Sequence, residues 1–275
     1  MSLIAKVAAA MGKIAPLALA DSSWDNVGIL VESPNSNQSN VVMLTIDLTP
    51  QVMEECVRKN VEVIIAYHPP IFRPIARLLL GDPKTHIILR SVREGMSIYS
   101  PHTSLDACQG GINDWLMLSA VGNVEKMVPI VAKALEGADN VETGYGRVAT
   151  LTTALRLSQL VKNLKERLNI PTVRVALPDG WSRDHPINSI AVCAGSGSSV
   201  FSGLKHHVDV LLTGEMGHHD VLAANAAGRA VILCEHTNTE RGYLREVLFS
   251  KLQQELGSEI NLCVSQEDHD PLLTW

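Results

Sequence analysis

The sequence has no long apolar run, no surplus of basic residues and no cysteine pairing pattern, and each absence removes a class of protein. Its longest uncharged apolar stretches fall far short of the roughly 20 residues that a membrane-spanning helix needs. Lys and Arg total 23 against 29 Asp and Glu, for a formal net charge of −6 and an isoelectric point near 5.9. No cationic surplus is therefore available to neutralise phosphates, which excludes a general nucleic-acid grip. The five cysteines, Cys56, Cys108, Cys193, Cys234 and Cys263, are odd in number and form no Cys-x-x-Cys. They read as reduced thiols of an intracellular protein, with a cytoplasmic location expected and nuclear or mitochondrial ones left open. No secretory signal is visible, because Lys6 and Lys13 interrupt the N-terminal apolar residues. Leu3, Ile4, Val7, Met11 and Ile14 instead fall at the spacing of an amphipathic first helix. Charged residues make up 19% of the chain, below the usual quarter or so, which suits a surface partly covered by other subunits.

What the chain does have is enough length for a sizeable core and an unusual set of histidines. At 275 residues and 46% hydrophobic content, one large or two modest domains are expected. Val41 to Ile46 reads as a buried strand, Thr49-Pro50 as a helix cap and first helical position, and Gln51 to Lys59 as a helix. Val61 to Ala66 is a second strand that ends at Tyr67-His68-Pro69-Pro70. A strand, helix, strand unit of this size implies a parallel pair. The pattern recurs without a gap: Ile190 to Cys193, a Gly/Ser turn, a helix through Val200, Leu204 and Lys205, then Val208 to Thr213 ending at Gly214-Glu215. In this register Glu215 takes the place of His68.

The repeat continues into its most informative part. Ile98-Tyr99-Ser100-Pro101 leads into His102-Thr103-Ser104-Leu105-Asp106, and Val231 to Glu235 leads into His236-Thr237-Asn238-Thr239-Glu240. Both are strands emptying into His-Thr-x-x-acid. The expected fold is α/β: two related α/β lobes from an internal repeat, with mixed sheets flanked by helices and a site between the lobes. The first lobe is placed at residues 1–125 and the second at 126–275, the latter including a peripheral segment near 126–188 that carries Gly137, Gly144 and Pro171. A helix is expected over Ser158 to Leu168 and a strand over Thr172 to Ala176.

A histidine and a carboxylate four residues apart can grip one divalent ion, and two such pairs in equivalent places strengthen that reading. With His68 at a third strand end, the candidate ligands are His68, Asp106, His236 and Glu240. Mixed imidazole and carboxylate donors suit zinc, iron or manganese. His218 and His219 follow the Thr213 to Gly217 corner and are candidates for the wall of a pocket. His206 and His207 read as a solvated helix end, and His86, His185 and His269 as surface. Trp24-Asp25-Asn26-Val27-Gly28 is an aromatic-polar corner entering a strand, read as a turn anchored by a buried Trp24. Gly195-Ser196-Gly197-Ser198 follows a strand but lacks the Gly-Lys-Ser/Thr ending of a phosphate loop. It reads as a helix-opening turn, although its N–H groups could hold an anion. No nucleophile-elbow spacing is present.

Taken together these segments resemble the NIF-three-like family, also known as GTP cyclohydrolase I type 2 homologues, in its eukaryotic branch. The resemblance is carried by Ser23 to Gly28, Tyr67 to Pro74, Tyr99 to Thr103, Gly110 to Leu116, Thr213 to Asp220 and His236 to Gly242. It implies a two-lobe α/β fold with a dinuclear metal centre, held by His68, Asp106, His236 and Glu240 with one or two ions per chain. It also implies a homohexamer whose metal sites face a cavity. The family corner has two adjacent histidines where this chain has Tyr67-His68, so Tyr67 either removes a ligand or supplies a phenolate. The implied activity is that of a metal-dependent hydrolase acting on a small nucleotide-like or phosphoester substrate, with His102 or His219 as proton donor. The alternative is a metal-binding scaffold or transcription-related interaction protein with protein partners.

Overall fold

The computed structural model describes residues 1–122, 124–135 and 142–273; Gly137 lies outside them. The chain divides into two compact units. The first joins Met1–Cys108 to Tyr243–His269, and the second joins Gln109–Gly242 to the chain end from Asp270. This division differs from a break near residue 125, because the segment after Tyr243 returns to the first unit.

The first unit is built on a mixed five-stranded sheet. Strands β1 (Gly28–Val31), β2 (Val41–Thr45), β3 (Val63–Ala66) and β4 (Ser97–Ser100) lie in the order β1-β4-β3-β2, and the strand Asn261–Val264 closes the far edge. β2, β3 and β4 are mutually parallel, β1 runs antiparallel to β4, and Asn261–Val264 runs parallel to β2. All residues of β3 and β4 are buried, as expected of parallel strands covered on both faces. Helix α1 spans Leu3–Ile14, α2 Pro50–Arg58, α3 Pro83–Arg93 and α4 His102–Ala107. α2 starts where the Thr49 hydroxyl accepts the Val52 N–H at 3.3 Å and Pro50 presets the first turn. Its face of Val52, Met53 and Cys56 packs with Met43, Ile64 and Ile98 in one core cluster. Burying each such large side chain contributes about 1.5–3 kcal/mol.

On the same helix, Glu55 ties down the returning chain. Its buried carboxylate accepts from Lys59 Nζ at 2.7 Å, Ser265 Oγ at 2.6 Å and the N–H groups of Gln266 and Glu267 at 3.1 and 3.3 Å. Burial pushes the carboxyl pKa up, but these donors outweigh it and hold the pKa at about 2.

The second unit carries a mixed six-stranded sheet. Strands β5 (Met127–Val128), β8 (Arg147–Arg156), β9 (Arg174–Ala176), β10 (Pro186–Ser196), β11 (Val210–Glu215) and β12 (Ala230–Leu233) take the order β5-β8-β10-β11-β12-β9. The short pair β6 (Val131–Ala132) and β7 (Gly144–Tyr145) stands apart from it. The segment 126–188 is thus not merely peripheral. Its strand β8 pairs antiparallel with β10 and its strand β9 pairs antiparallel with β12, both within the main sheet. The guanidinium of Arg147 anchors β8: it is fully buried, ion-paired to Asp114, and donates to the carbonyls of Gly144 and Gly146 at 2.6 and 2.8 Å. Helices α5 (Ile112–Val121), α6 (Leu157–Leu168), α7 (Ser198–Phe201) and α8 (His218–Ala226) flank the sheet.

The internal repeat is present in the topology. β2-α2-β3-α3-β4 and β10-α7-β11-α8-β12 each place three consecutive strands side by side and parallel. Each also has an antiparallel strand on the outer side of the last one, β1 on β4 and β9 on β12. Asp47, His68 and His102 follow the carboxyl ends of β2, β3 and β4; Gly195, Glu215 and His236 lie at the corresponding ends in the second unit. Carboxyl edges of parallel strands are where α/β folds place their ligands. The five cysteines are free, and among the described residues no helix is long and apolar enough to cross a membrane.

Candidate metal centre

In the first unit the corner after β3 is fixed by the backbone. The N–H groups of Tyr67 and His68 donate to the carbonyls of Thr45 and Ile46 at 2.9 and 3.0 Å, extending the sheet ladder past the end of β3. Tyr67 is buried and its phenol donates to Asp106 Oδ1 at 2.5 Å, bringing together two of the expected ligands. His68 Nδ1 lies 3.0 Å from Asp47 Oδ1. His102 opens α4 with φ at +30°, a left-handed conformation unusual for a residue other than glycine. Its Nδ1 lies 2.7 Å from Asp25 Oδ1, whose carboxylate side chain is fully buried. The other Asp25 oxygen accepts from the Thr103 N–H at 3.2 Å and the Thr103 hydroxyl at 2.5 Å. Burial works to raise the Asp25 pKa, but the His102 and Thr103 contacts prevail and hold it below the usual carboxylate range.

In the second unit the chain after β12 turns through Glu235, at φ +66°, into a 3₁₀ turn over Thr237–Thr239. His236 and Glu240 flank that turn, with His236 Nε2 3.4 Å from Glu240 Oε1. His236 Nδ1 lies 2.9 Å from Glu215 Oε1. Gly195 forms the floor beneath the pair. It adopts φ +64°, and a Cβ there would come within 2.7 Å of Glu240 Oε1 and 2.8 Å of His236 Nε2. Its N–H donates to Thr239 Oγ1 at 2.8 Å, and that hydroxyl donates in turn to the His236 carbonyl at 2.6 Å. The Thr213 hydroxyl donates to the Gly195 carbonyl at 3.1 Å, while the Ala194 N–H donates to Asn113 Oδ1 at 2.9 Å. The ligand pair therefore sits on a backbone pinned from three sides.

One rule runs through both units: each of these histidines has a carboxylate oxygen at Nδ1. Asp47 serves His68, Asp25 serves His102 and Glu215 serves His236. Fixing Nδ1 in this way selects the tautomer and makes Nε2 the nitrogen for coordination or proton transfer. The separation of His236 Nε2 and Glu240 Oε1 also fits a shared ion. Two ligand atoms at about 2.0–2.2 Å from zinc in tetrahedral array stand roughly 3.4 Å apart, and the observed gap is 3.4 Å. The donor set, the buried Glu240 carboxylate and the side-chain-free floor all suit a divalent cation.

The residues matched by the DUF34/NIF3 family model, described as NGG1p interacting factor 3, run from 2 to 271. The chain belongs to this family. NGG1-interacting factor 3 of Saccharomyces cerevisiae is 41% identical over 280 residues, covering 97% of this chain and 95% of its own length. NIF3-like protein 1 of Homo sapiens is 33% identical over 342 residues, covering 95% and 90%. Among solved structures, a Staphylococcus aureus protein superposes with a TM-score of 0.83 at 23% identity, covering 99% of each chain. HcgD of Methanocaldococcus jannaschii does so with a TM-score of 0.77 at 21% identity, covering 96% and 97%. These structural likenesses establish the NIF3 fold.

The other histidines separate cleanly. His218 and His219 lie exposed on the first turn of α8, with their rings 5.4 Å apart. His206 and His207 are exposed on the loop after α7, His86 and His269 are exposed, and His185 stacks on Trp181 at 3.7 Å. Sequence reasoning missed the three orienting acids, Asp25, Asp47 and Glu215. Asp47 and Glu215 had a usable signal, since each follows or ends a parallel strand next to a ligand-bearing one. Trp24 departs from expectation too: it is 51% exposed rather than buried, because the turn is anchored by Asp25 and not by the indole.

Proposed function

We propose that the chain is a metal-dependent hydrolase acting on a nucleotide-like or phosphoester substrate. In this reading His68, His236 and Glu240 serve one divalent ion, of zinc, iron or manganese, and Asp106 offers a donor for a second once released from the Tyr67 phenol. The observation that carries it is the His236–Glu240 pair, 3.4 Å apart over the Gly195 floor with Glu215 on the far nitrogen. A bound ion supplies Lewis-acid polarisation of water and of the electrophile near neutral pH. The chain's own residues do the remainder. Asp47 and Glu215 hold two imidazoles in the coordinating tautomer. His102, held by Asp25, presents Nε2 for proton transfer to the leaving group, and His219 is the second candidate donor. The phenol of Tyr67 already donates to Asp106, so a second ion must displace that hydrogen bond and binds more weakly than the first.

The same reading places the protein in the cytoplasm as a homohexamer with a small-molecule substrate; sedimentation of the purified chain tests the assembly. The decisive experiment for the activity is a screen of metal-reconstituted protein against nucleotides and phosphoesters. Turnover that disappears in Glu240→Gln while the assembly persists supports the hydrolase. A second reading is favoured by the name of the yeast relative, which describes an interaction with NGG1. It makes the chain a protein-binding scaffold with a structural ion, and full metal occupancy without any turnover supports it.

A further inference from the structure

Four rings surround the imidazole of His102. Tyr67 and His68 contact it from the ligand corner, each with centroids 5.5 Å away and near-perpendicular planes. Trp24 and Phe72 contact it at 5.8 and 6.2 Å, again edge to face. Trp24 and Phe72 also meet each other at 5.8 Å, tilted by 56°. Tyr67 is buried, but Trp24 and Phe72 are 51% and 41% exposed. Leaving so much indole in water forgoes the largest hydrophobic gain any side chain offers.

The exposure is not looseness. Asp21 Oδ1 accepts from the Ser23 N–H and hydroxyl at 3.1 and 2.6 Å, and the Asp25 N–H donates to the Asp21 carbonyl at 3.0 Å. The Asp21 N–H donates to Thr103 Oγ1 at 3.0 Å, and the Asn26 amide donates to the Ile71 carbonyl at 2.5 Å, next to Phe72. The loop that carries Trp24 is therefore bound both to the His102 turn and to the Phe72 segment. Rigid aromatic surface beside a histidine with one nitrogen committed to a carboxylate is a pre-organised face for a ligand ring.

We infer that Trp24 and Phe72 form a stacking subsite for a flat heteroaromatic ring, beside the His102 imidazole. The inference deepens the hydrolase reading and rests on it for the identity of the reacting end. It assigns the ring of the substrate to the exposed aromatic pair, and the phosphate or scissile group to the side of His102 where Tyr67 and His68 lie. Base-on-aromatic stacking tolerates many rings because each has a π-face, so the subsite selects for flatness.

The test uses the full chain, metal-loaded and metal-free, titrated with guanosine, adenosine and ribose 5-phosphate by calorimetry and tryptophan fluorescence. Both nucleosides are expected to bind saturably and to quench the indole, with or without metal, while ribose 5-phosphate alone leaves the fluorescence unchanged. Trp24→Leu is expected to weaken nucleoside binding about tenfold or more, and Trp24→Phe much less. Phe72→Leu, at the second ring, is expected to weaken it in the same direction. Nucleoside affinity unchanged in Trp24→Leu, or binding of ribose 5-phosphate to the metal-free chain equal to that of the nucleosides, overturns the inference. So does disassembly of the oligomer in Trp24→Leu, which makes the indole a subunit contact. Metal content measured on the same samples reports on the ion separately, so loss of stacking with full metal leaves the metal reading intact.

Discussion

Replacing Gly195 by alanine adds one methyl group and replaces no proposed ligand, yet the geometry predicts that it unseats the metal. The new Cβ would stand 2.7 Å from Glu240 Oε1 and 2.8 Å from His236 Nε2, against an ordinary contact of 3.4 Å or more. The ligand pair must therefore give way by about 0.7 Å, when coordination tolerates roughly 0.2 Å. Two costs follow, and they can be separated. The first is the left-handed backbone at φ +64°, which costs alanine about 1–2 kcal/mol whatever surrounds it. The second is displacement of the ligands, expected to lower metal affinity by about 10- to 100-fold, as disturbance of a metal site's supporting shell does. Gly180 supplies the control, since it has φ +79° with nothing within 4 Å of a Cβ. Gly180→Ala should share the stability loss and keep wild-type affinity. The assay is competition for zinc or manganese against a chromophoric chelator, with thermal melting of the metal-free proteins alongside. Equal affinities in Gly195→Ala and Gly180→Ala would refute the reasoning.

Three further perturbations follow from the same contacts. Glu215→Gln removes the carboxylate on His236 Nδ1; Glu215 is half exposed, so chelator competition should show a loss near the lower end, about tenfold. Glu55 has a folded pKa of about 2 against an ordinary 4.5, a difference that stabilises the native state by about 3 kcal/mol at neutral pH. Because the folded pKa is the depressed one, that contribution is complete above about pH 5 and disappears as pH falls toward 2; denaturant titrations of Glu55→Gln should lack this slope, and an unchanged slope would contradict it. Tyr67→Phe removes the hydrogen bond to Asp106 and should ease uptake of a second ion, visible as a higher manganese stoichiometry in the variant; identical stoichiometry would count against that role.

Local pattern made much of this protein readable. β2, α2 and β3 are contiguous, capped by Thr49-Pro50 and buried on the expected residues, so the first parallel pair follows from short-range signals. The repeat then identified the equivalent strand ends and both His-Thr-x-x-acid motifs. Non-local pairing was not readable. Nothing near Asn261–Val264 indicates that it pairs with β2, about 220 residues earlier in the chain, and so the expected lobe boundary differed from the observed units. The orienting acids were hidden for the same reason. Asp25 reaches His102 across 77 positions and Asp47 reaches His68 across 21, and only the folded sheet edge brings such residues together. Gly195 looked like a helix-opening turn because a glycine's role as a floor depends on what stands above it.

The most direct test of the central claim is metal content per chain after reconstitution with zinc and exhaustive dialysis, measured by plasma mass spectrometry in wild type, His68→Ala, His236→Ala and Glu240→Gln. At least one tightly held ion in the wild type, lost from all three variants while their folds and melting remain cooperative, is the predicted result. A wild-type chain that retains no ion, or variants that all retain a full complement, would contradict the account.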